Sequence, residues 1–351
     1  MILASLGLAA MAYGLIEGQR YDWSIIGGSP LTIPEVIGAG ILMLVLFVLW
    51  QRTRQEPLVP LSLFADRGYA VATWLSGLSY FGTLGFGLVF TIYFLSVLGM
   101  SALSAGLTTL PFAFSLAVGA PIAGRLTDRI GGRHVLMLGS TLYGIGLVSF
   151  ALVSTTTASW QTFALPFIVA GVGMAELTAP SMTVALRDIE PAMTGAASGL
   201  FNTARQVGGA TGAAVVGAVL QNRLVSAMHD NAVAGSGRLP AGERTGIINS
   251  FASAAHSGLQ VGRGQSGGAQ LPSGASPEAA QQVQSLIHDV FVTSFLSALK
   301  PALLVPAFAF AVGAVTCLLI AGRRPVTLAP VATRPPGEPA PLERALAERE
   351  A

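Results

Sequence analysis

Long apolar stretches separated by short polar segments dominate the pattern of this sequence. Eight stretches are nearly free of charge: 1–15, 33–50, 69–97, 104–123, 135–154, 162–182, 196–220 and 301–321. About 20 residues of helix cross the roughly 30 Å hydrocarbon core of a bilayer. Lipid cannot satisfy open backbone groups, so helices are the spanning structure for such lengths. The pattern predicts an all-α integral membrane protein with about eight transmembrane helices.

Composition supports the same class. Hydrophobic residues make up 52% of the 351 residues, charged residues 10%, and mean hydropathy is +0.65. Soluble domains carry about 25% charged residues. The net charge of +2 is small and scattered along the chain, which argues against a nucleic-acid partner.

Candidate chemistry for an enzyme or a metal site is missing from the pattern. Cys317 is the single cysteine, so no disulfide forms within the chain. The four histidines have no Cys, Asp or Glu at metal-ligand spacing, and the Gly-rich run at 262–268 lacks the lysine of a nucleotide-binding loop. We expect no catalytic residues, no metal and no enzymatic activity.

Arginines in the short loops predict an orientation. With the N-terminus inside, the inner loops hold the following arginines: Arg52, Arg54, Arg67, Arg125, Arg129, Arg133, Arg187, Arg323 and Arg324. The short outer loops hold Arg20 alone. Because arginines collect on the cytoplasmic side, we expect a multi-pass protein of the cell membrane with a cytoplasmic C-terminus.

Two segments have aqueous composition. The stretch from 221 to about 280 is rich in Gly, Ser, Ala and Gln and cannot bury enough apolar surface to fold alone. We expect a flexible extracytoplasmic loop over 221–300 that ends in an interfacial helix from about residue 277. The proline-rich tail at 323–351 is predicted to be cytoplasmic and disordered.

The sharpest local motif is the run 124–133, between the fourth and fifth predicted spans. Its defining residues are Gly124, Leu126, Asp128, Arg129, Gly131 and Arg133. This run resembles the cytoplasmic loop signature of the major facilitator superfamily, with Thr127 and Gly132 as mild departures. Glycines suit a tight turn, and the charged residues suit a gating contact on the cytoplasmic side. The alternative is an ordinary arginine-containing inner loop with turn glycines.

Three other stretches resemble the fourteen-helix drug:proton antiporters of that superfamily. They are 56–64, 98–111 and 195–209, and they occur in the family's order. On this resemblance the eight spans correspond to helices seven to fourteen, and helices one to six have no counterpart. The implied organisation is two linker-type helices (1–51), a cytoplasmic connector (52–68), five helices of the C-terminal six-helix bundle (69–220), the extracytoplasmic loop (221–300) and the last transmembrane helix (301–322).

The resemblance implies a secondary active transporter that exports a hydrophobic or amphipathic small molecule against proton entry. The proton gradient is then the energy source, with no cofactor. Because the chain is expected to be the C-terminal part of such a protein, its partners are the bilayer and either the missing N-terminal bundle or a second copy. Two alternatives remain: a truncated membrane protein that transports nothing or serves as a structural partner, and an exporter of one specific metabolite.

Polar residues inside predicted spans are candidates for function because lipid makes them costly. They are Glu176, Asn202, Arg205 and Gln206. Glu176 and Arg205 are predicted at similar depths near the inner side, so our hypothesis is that they pair with each other or with the Asp128 run. The alternative is that each side chain reaches to the inner surface.

Small residues four apart predict close helix packing. Gly195 with Gly199, and Gly208 with Gly212, form two such pairs. We expect both pairs to lie at helix–helix contacts.

Overall fold

A computed structural model describes residues 2–18, 23–26, 30–52, 61–235 and 277–320. Nine helices account for nearly all of them: α1 (Ile2–Glu17), α2 (Ile33–Arg52), α3 (Arg67–Ile92), α4 (Ala102–Thr108), α5 (Leu110–Ile130), α6 (Gly132–Val153), α7 (Ala164–Leu186), α8 (Thr194–Gly235) and α9 (Pro277–Thr316). A π-helical turn, Tyr93–Val97, extends α3. The predicted all-α class is confirmed.

Each predicted span coincides with helical residues, and the span at 104–123 is divided between α4 and α5. Among the described residues, six helical segments are long and apolar enough to cross a membrane: Ile33–Gln51, Arg67–Val97, Ala102–Ile130, Gly132–Val153, Trp160–Leu186 and Ile287–Leu319. With 16 residues, α1 is about 24 Å long and falls short of the core thickness. The 42-residue α8 is long enough, but its glycines, Arg205 and Gln206 lower its mean hydropathy.

α3 and α5–α9 form one bundle with a shared core. At one end of the bundle, an aromatic cluster joins α3, α6 and α7, and its ring centres are 4.9 Å apart for Phe86–Phe150 and 5.1 Å for Phe94–Phe163. At the opposite end, Val184 of α7 lies against Gly132 of α6. Arg67, Arg129 and Arg187 mark this second end, which we call the arginine-rich end.

α8 and α9 differ from the predicted loop and interfacial helix. α8 continues to Gly235, fifteen residues past the predicted span end at residue 220, and α9 runs without a break from Pro277 into the last span. Leu220, Leu224 and Met228 are buried at helical spacing in the same core as α9 residues. Asn231 Nδ2 donates to Ser294 Oγ at 2.9 Å. The apolar face and this bond order a segment whose composition alone indicated a loop.

The remaining segments of the predicted organisation fall outside the described residues. These are the central part of the connector (53–60), the predicted loop over 236–276 and the tail from 321 onward. Their predicted roles stay predictions.

Candidate functional site

The signature run is helical rather than a loop. α5 extends to Ile130 and α6 begins at Gly132, so Gly131 alone forms the turn. Gly131 has φ +87° and ψ 148°, in a region that favours glycine, and its N–H donates to Thr127 O at 3.0 Å. The turn between the two helices is tighter than the run of ten residues suggests, because a single glycine with positive φ is enough to reverse the chain.

The charged residues of this run lie on the last turns of α5 and the first turn of α6. Asp128 and Arg129 are exposed, whereas Gly124, Leu126 and Arg133 are partly buried. Gly132, one of the departures from the family pattern, has a structural reason: an added Cβ would lie 2.2 Å from Val184 Cγ2. The run therefore forms a short rigid corner at the arginine-rich end.

Arg205 lies on α8 at the crossing with α3, and its side chain is half-buried. Its guanidinium carbon is 4.2 Å from the centre of the Tyr80 ring, a cation–π distance. Nη2 donates to Tyr80 Oη, and Nη1 is 3.5 Å from Asn202 Oδ1. The predicted pairing with Glu176 is replaced by this contact, since Tyr80 supplies a ring face and a hydroxyl on the adjacent helix.

Asn202 and Gln206 are exposed on the same helix as Arg205. Asn202 Nδ2 donates to Ser198 O at 3.1 Å, one turn earlier. Tyr80, Asn202, Arg205 and Gln206 thus form a polar patch on the open face of the α3–α8 pair. Sequence reasoning missed Tyr80, although a tyrosine inside an apolar span was a visible signal.

Glu176 is not part of this polar patch. It lies on α7, and its side chain is at the contact with α6. Its side chain is 8% exposed, and Oε2 is buried without a hydrogen-bond partner in the described part of the chain. An added Cβ at Gly139 would lie 2.8 Å from Glu176 Cβ, so the glycine makes room for the acid. Gly139 is seven residues from the start of α6, which places Glu176 about 10 Å from that helix end.

The two predicted glycine pairs of α8 differ in whether they contact another helix. An added Cβ would lie 2.1 Å from Gly77 O at Gly208 and 2.1 Å from Phe81 O at Gly212, so α3 and α8 touch backbone to backbone there. At Gly195 and Gly199, no described atom outside the helix backbone lies within 4 Å of an added Cβ. Gly195 and Gly199 face away from α3, because α8 presents its opposite side to that helix.

A second polar contact lies inside the bundle. Thr83 Oγ1 and Tyr143 Oη are 3.5 Å apart, and Thr83 Oγ1 is 3.6 Å from Met174 Sδ. The ring of Tyr143 packs edge-on against Phe310, with centres 4.6 Å apart. This contact links α3, α6, α7 and α9, and no sequence pattern predicted it.

Comparison with known proteins identifies the family. The sequence profile described as Major Facilitator Superfamily matches residues 1–213. The chain therefore belongs to the major facilitator superfamily, a family of membrane transporters, and is a multi-pass membrane protein.

Curated relatives include drug-resistance proteins. The chain is 30% identical over 296 residues to an uncharacterized MFS-type transporter of Mycobacterium tuberculosis, covering 84% of this chain and 46% of the relative. It is 32% identical over 250 residues to the puromycin resistance protein of Streptomyces alboniger (70% and 47%), and 29% over 225 residues to the tetracenomycin C resistance and export protein of Streptomyces glaucescens (64% and 40%). The chain spans less than half the length of these relatives.

Among solved structures, the chain is similar to a bacterial homologue of the human lysosomal transporter Spinster in an inward-facing, unoccupied conformation. The sequence identity is 15% and the TM-score is 0.48, over 92% of this chain and 68% of that one.

Proposed function

We propose that this chain forms one helical bundle of a proton-coupled exporter of apolar or amphipathic small molecules in the cell membrane. The observation that carries the proposal is Glu176, a carboxyl group buried in the bundle with an oxygen that has no partner among the described residues. Acids inside a membrane are costly and mark proton pathways in transporters. One relative is named a tetracenomycin C resistance and export protein, and this name supports the direction of transport.

Glu176 is suited to exchanging a proton because its Oε2 has no hydrogen-bond partner among the described residues. The ionised carboxylate depends on water for its solvation, and access to water alternates between the two sides during a transport cycle. Proton binding at Glu176 therefore couples to which side of the membrane supplies water to the carboxyl group.

The polar patch of Tyr80, Asn202, Arg205 and Gln206 is the proposed contact surface for the exported molecule. The half-buried guanidinium of Arg205 is held in place by the Tyr80 ring and hydroxyl. Exposed amides beside it add donors and acceptors. A few placed polar groups on an otherwise apolar wall are typical of small-molecule sites.

The second bundle is proposed to pack on the open face of α5. Four large apolar side chains recur there at helical spacing and are 46–71% exposed: Leu110, Phe114, Val118 and Ile122. Either an N-terminal bundle like that of the longer relatives or a second copy of this chain fits this face. The arginine-rich end, with Asp128, is proposed to face the cytoplasm together with the C-terminus.

Efflux measurements test the proposal. Cells lacking the gene are complemented with the wild type, with Glu176→Gln, or with Glu190→Gln as a matched control outside the spans. Glutamine imitates the neutral acid in shape, so Glu176→Gln is expected to insert normally. We expect it to lose energised efflux of a lipophilic dye at least tenfold, while the control keeps the wild-type rate and its sensitivity to a protonophore. Wild-type efflux by Glu176→Gln refutes the proton role.

A protein that inserts but transports nothing is the competing function. Cells with and without the intact gene then show equal dye efflux. An exporter of one specific molecule gives a third result, in which one dye is exported and dyes of different shape are not. Labelling of Asp128→Cys only after membrane permeabilisation tests the proposed orientation.

A further inference from the structure

A groove on the outside of the bundle has no role in the proposed transport cycle. Its floor is α3, its walls are α8 and α9, and its volume is about 550 Å³. Trp74 is 53% exposed at the groove, and Phe308, 72% exposed, is adjacent in sequence to the lining residue Ala309. Neither Tyr80 nor Arg205 is among the residues that line the groove.

The groove matches one leaflet of a bilayer in length. Its α3 lining runs from Ala70 to Phe81, a rise of about 16 Å, which is close to half of the roughly 30 Å hydrocarbon core. It begins three residues from Arg67, at the arginine-rich end. A ligand filling the groove therefore lies along the membrane normal within a single leaflet.

The lining selects an uncharged, apolar ligand. All its side chains are Phe, Trp, Leu, Val, Ala, Gly or Thr, so no charged group faces the groove. The charged part of an amphiphile has to stay at the mouth, where Arg67 is exposed on the same face of α3 as Ala70 and Trp74. A cation at the mouth favours an anionic head group over a cationic one.

We propose that this groove binds an anionic phospholipid of the leaflet at the arginine-rich end. One acyl chain fills the slot along α3, and the phosphate contacts Arg67 at its mouth. The bound lipid braces the crossing of α3 and α8, because its acyl chain lies against lining residues of both helices. This site shares no lining residue with the patch around Arg205, and its existence does not depend on transport.

Native mass spectrometry of the purified full chain tests the site. The chain is released from nanodiscs of phosphatidylglycerol and phosphatidylcholine mixed equally, and the retained lipid is counted. Ala309→Phe fills the groove, and Ala179→Phe adds the same volume on an exposed position of α7 as the control. We expect the wild type and the control to retain one phosphatidylglycerol, and Ala309→Phe to retain it at least tenfold less.

Two further variants keep the proposal falsifiable. Thr203→Phe fills the groove from α8 if Ala309→Phe fails to fold, and circular dichroism verifies folding. Arg67→Gln is expected to retain lipid while losing the preference for phosphatidylglycerol over phosphatidylcholine. Equal retention by wild type and both groove-filling variants overturns the proposal, as does displacement of the lipid by a lipophilic cationic dye.

Discussion

The crossing of α3 and α8 provides a stability test with a built-in control. A Cβ added at Gly208 would lie 2.1 Å from Gly77 O, 2.7 Å from its carbonyl carbon and 2.9 Å from its Cα. All three atoms belong to the backbone, so no side-chain rotation relieves the overlap. To restore even a tight 3.0 Å contact, the two helices must separate by 0.9 Å, the difference between 3.0 and 2.1 Å.

The expected cost of Gly208→Ala follows from two opposing terms. Overpacking a tight contact costs up to about 3 kcal/mol, and this contact belongs at the upper end because backbone lies on both sides. Alanine returns about 1 kcal/mol through its better helix propensity. We therefore expect the free energy of unfolding to fall by about 2 kcal/mol.

Gly199→Ala is the matched control on the same helix. No described atom outside the helix backbone lies within 4 Å of its added Cβ, so only the propensity gain of about 0.5–1 kcal/mol remains. Unfolding by SDS in mixed micelles, followed by far-UV circular dichroism, measures both variants. A Gly208→Ala protein as stable as Gly199→Ala would show that α3 and α8 do not touch at backbone distance.

Three other variants give further stability tests in the same assay. Tyr93→Phe is expected to cost about 1–2 kcal/mol, because Tyr93 Oη donates to Thr155 O at 2.7 Å and accepts from Thr155 N at 3.1 Å; no loss would show that water replaces these bonds. Asp66→Ala is expected to cost about 1 kcal/mol, since Asp66 Oδ1 accepts from Tyr69 N at 2.7 Å as the N-cap of α3, whereas Asp66→Asn keeps most of the stability. Gly131→Ala is expected to cost about 1–2 kcal/mol although the space around it is open, because φ is +87°; an unchanged midpoint contradicts this turn.

The sequence was informative about spans because insertion into lipid is decided segment by segment. Each helix has to be apolar by itself, and the runs at 33–50, 69–97 and 135–154 are recognisable without knowing their neighbours. Boundaries were less predictable. Leu224 and Met228 form an apolar face that is visible only when their exposed polar neighbours, Asn222, Arg223 and Ser226, are placed on the opposite side of a helix.

Contacts within the candidate site were harder to predict from the sequence than the helix boundaries were. Glu176 and Arg205 were recognised as polar residues in apolar spans, but their partners were not. Arg205 meets Tyr80, 125 residues away, and Glu176 meets Gly139. The similar predicted depths of Glu176 and Arg205 were insufficient to predict a contact between them, because two residues at one depth in the membrane can face different helices.

By itself, this sequence determines that the chain is embedded in a lipid bilayer, because apolar runs, few charges and clustered arginines require a helical membrane protein. Tertiary structure decided which small and polar residues meet. Gly208 and Gly212 approach α3 while Gly195 and Gly199 stay open, although the spacing within each pair is identical. Hydropathy acts locally along one helix, whereas the rotation and crossing of a helix depend on every neighbour that packs against it.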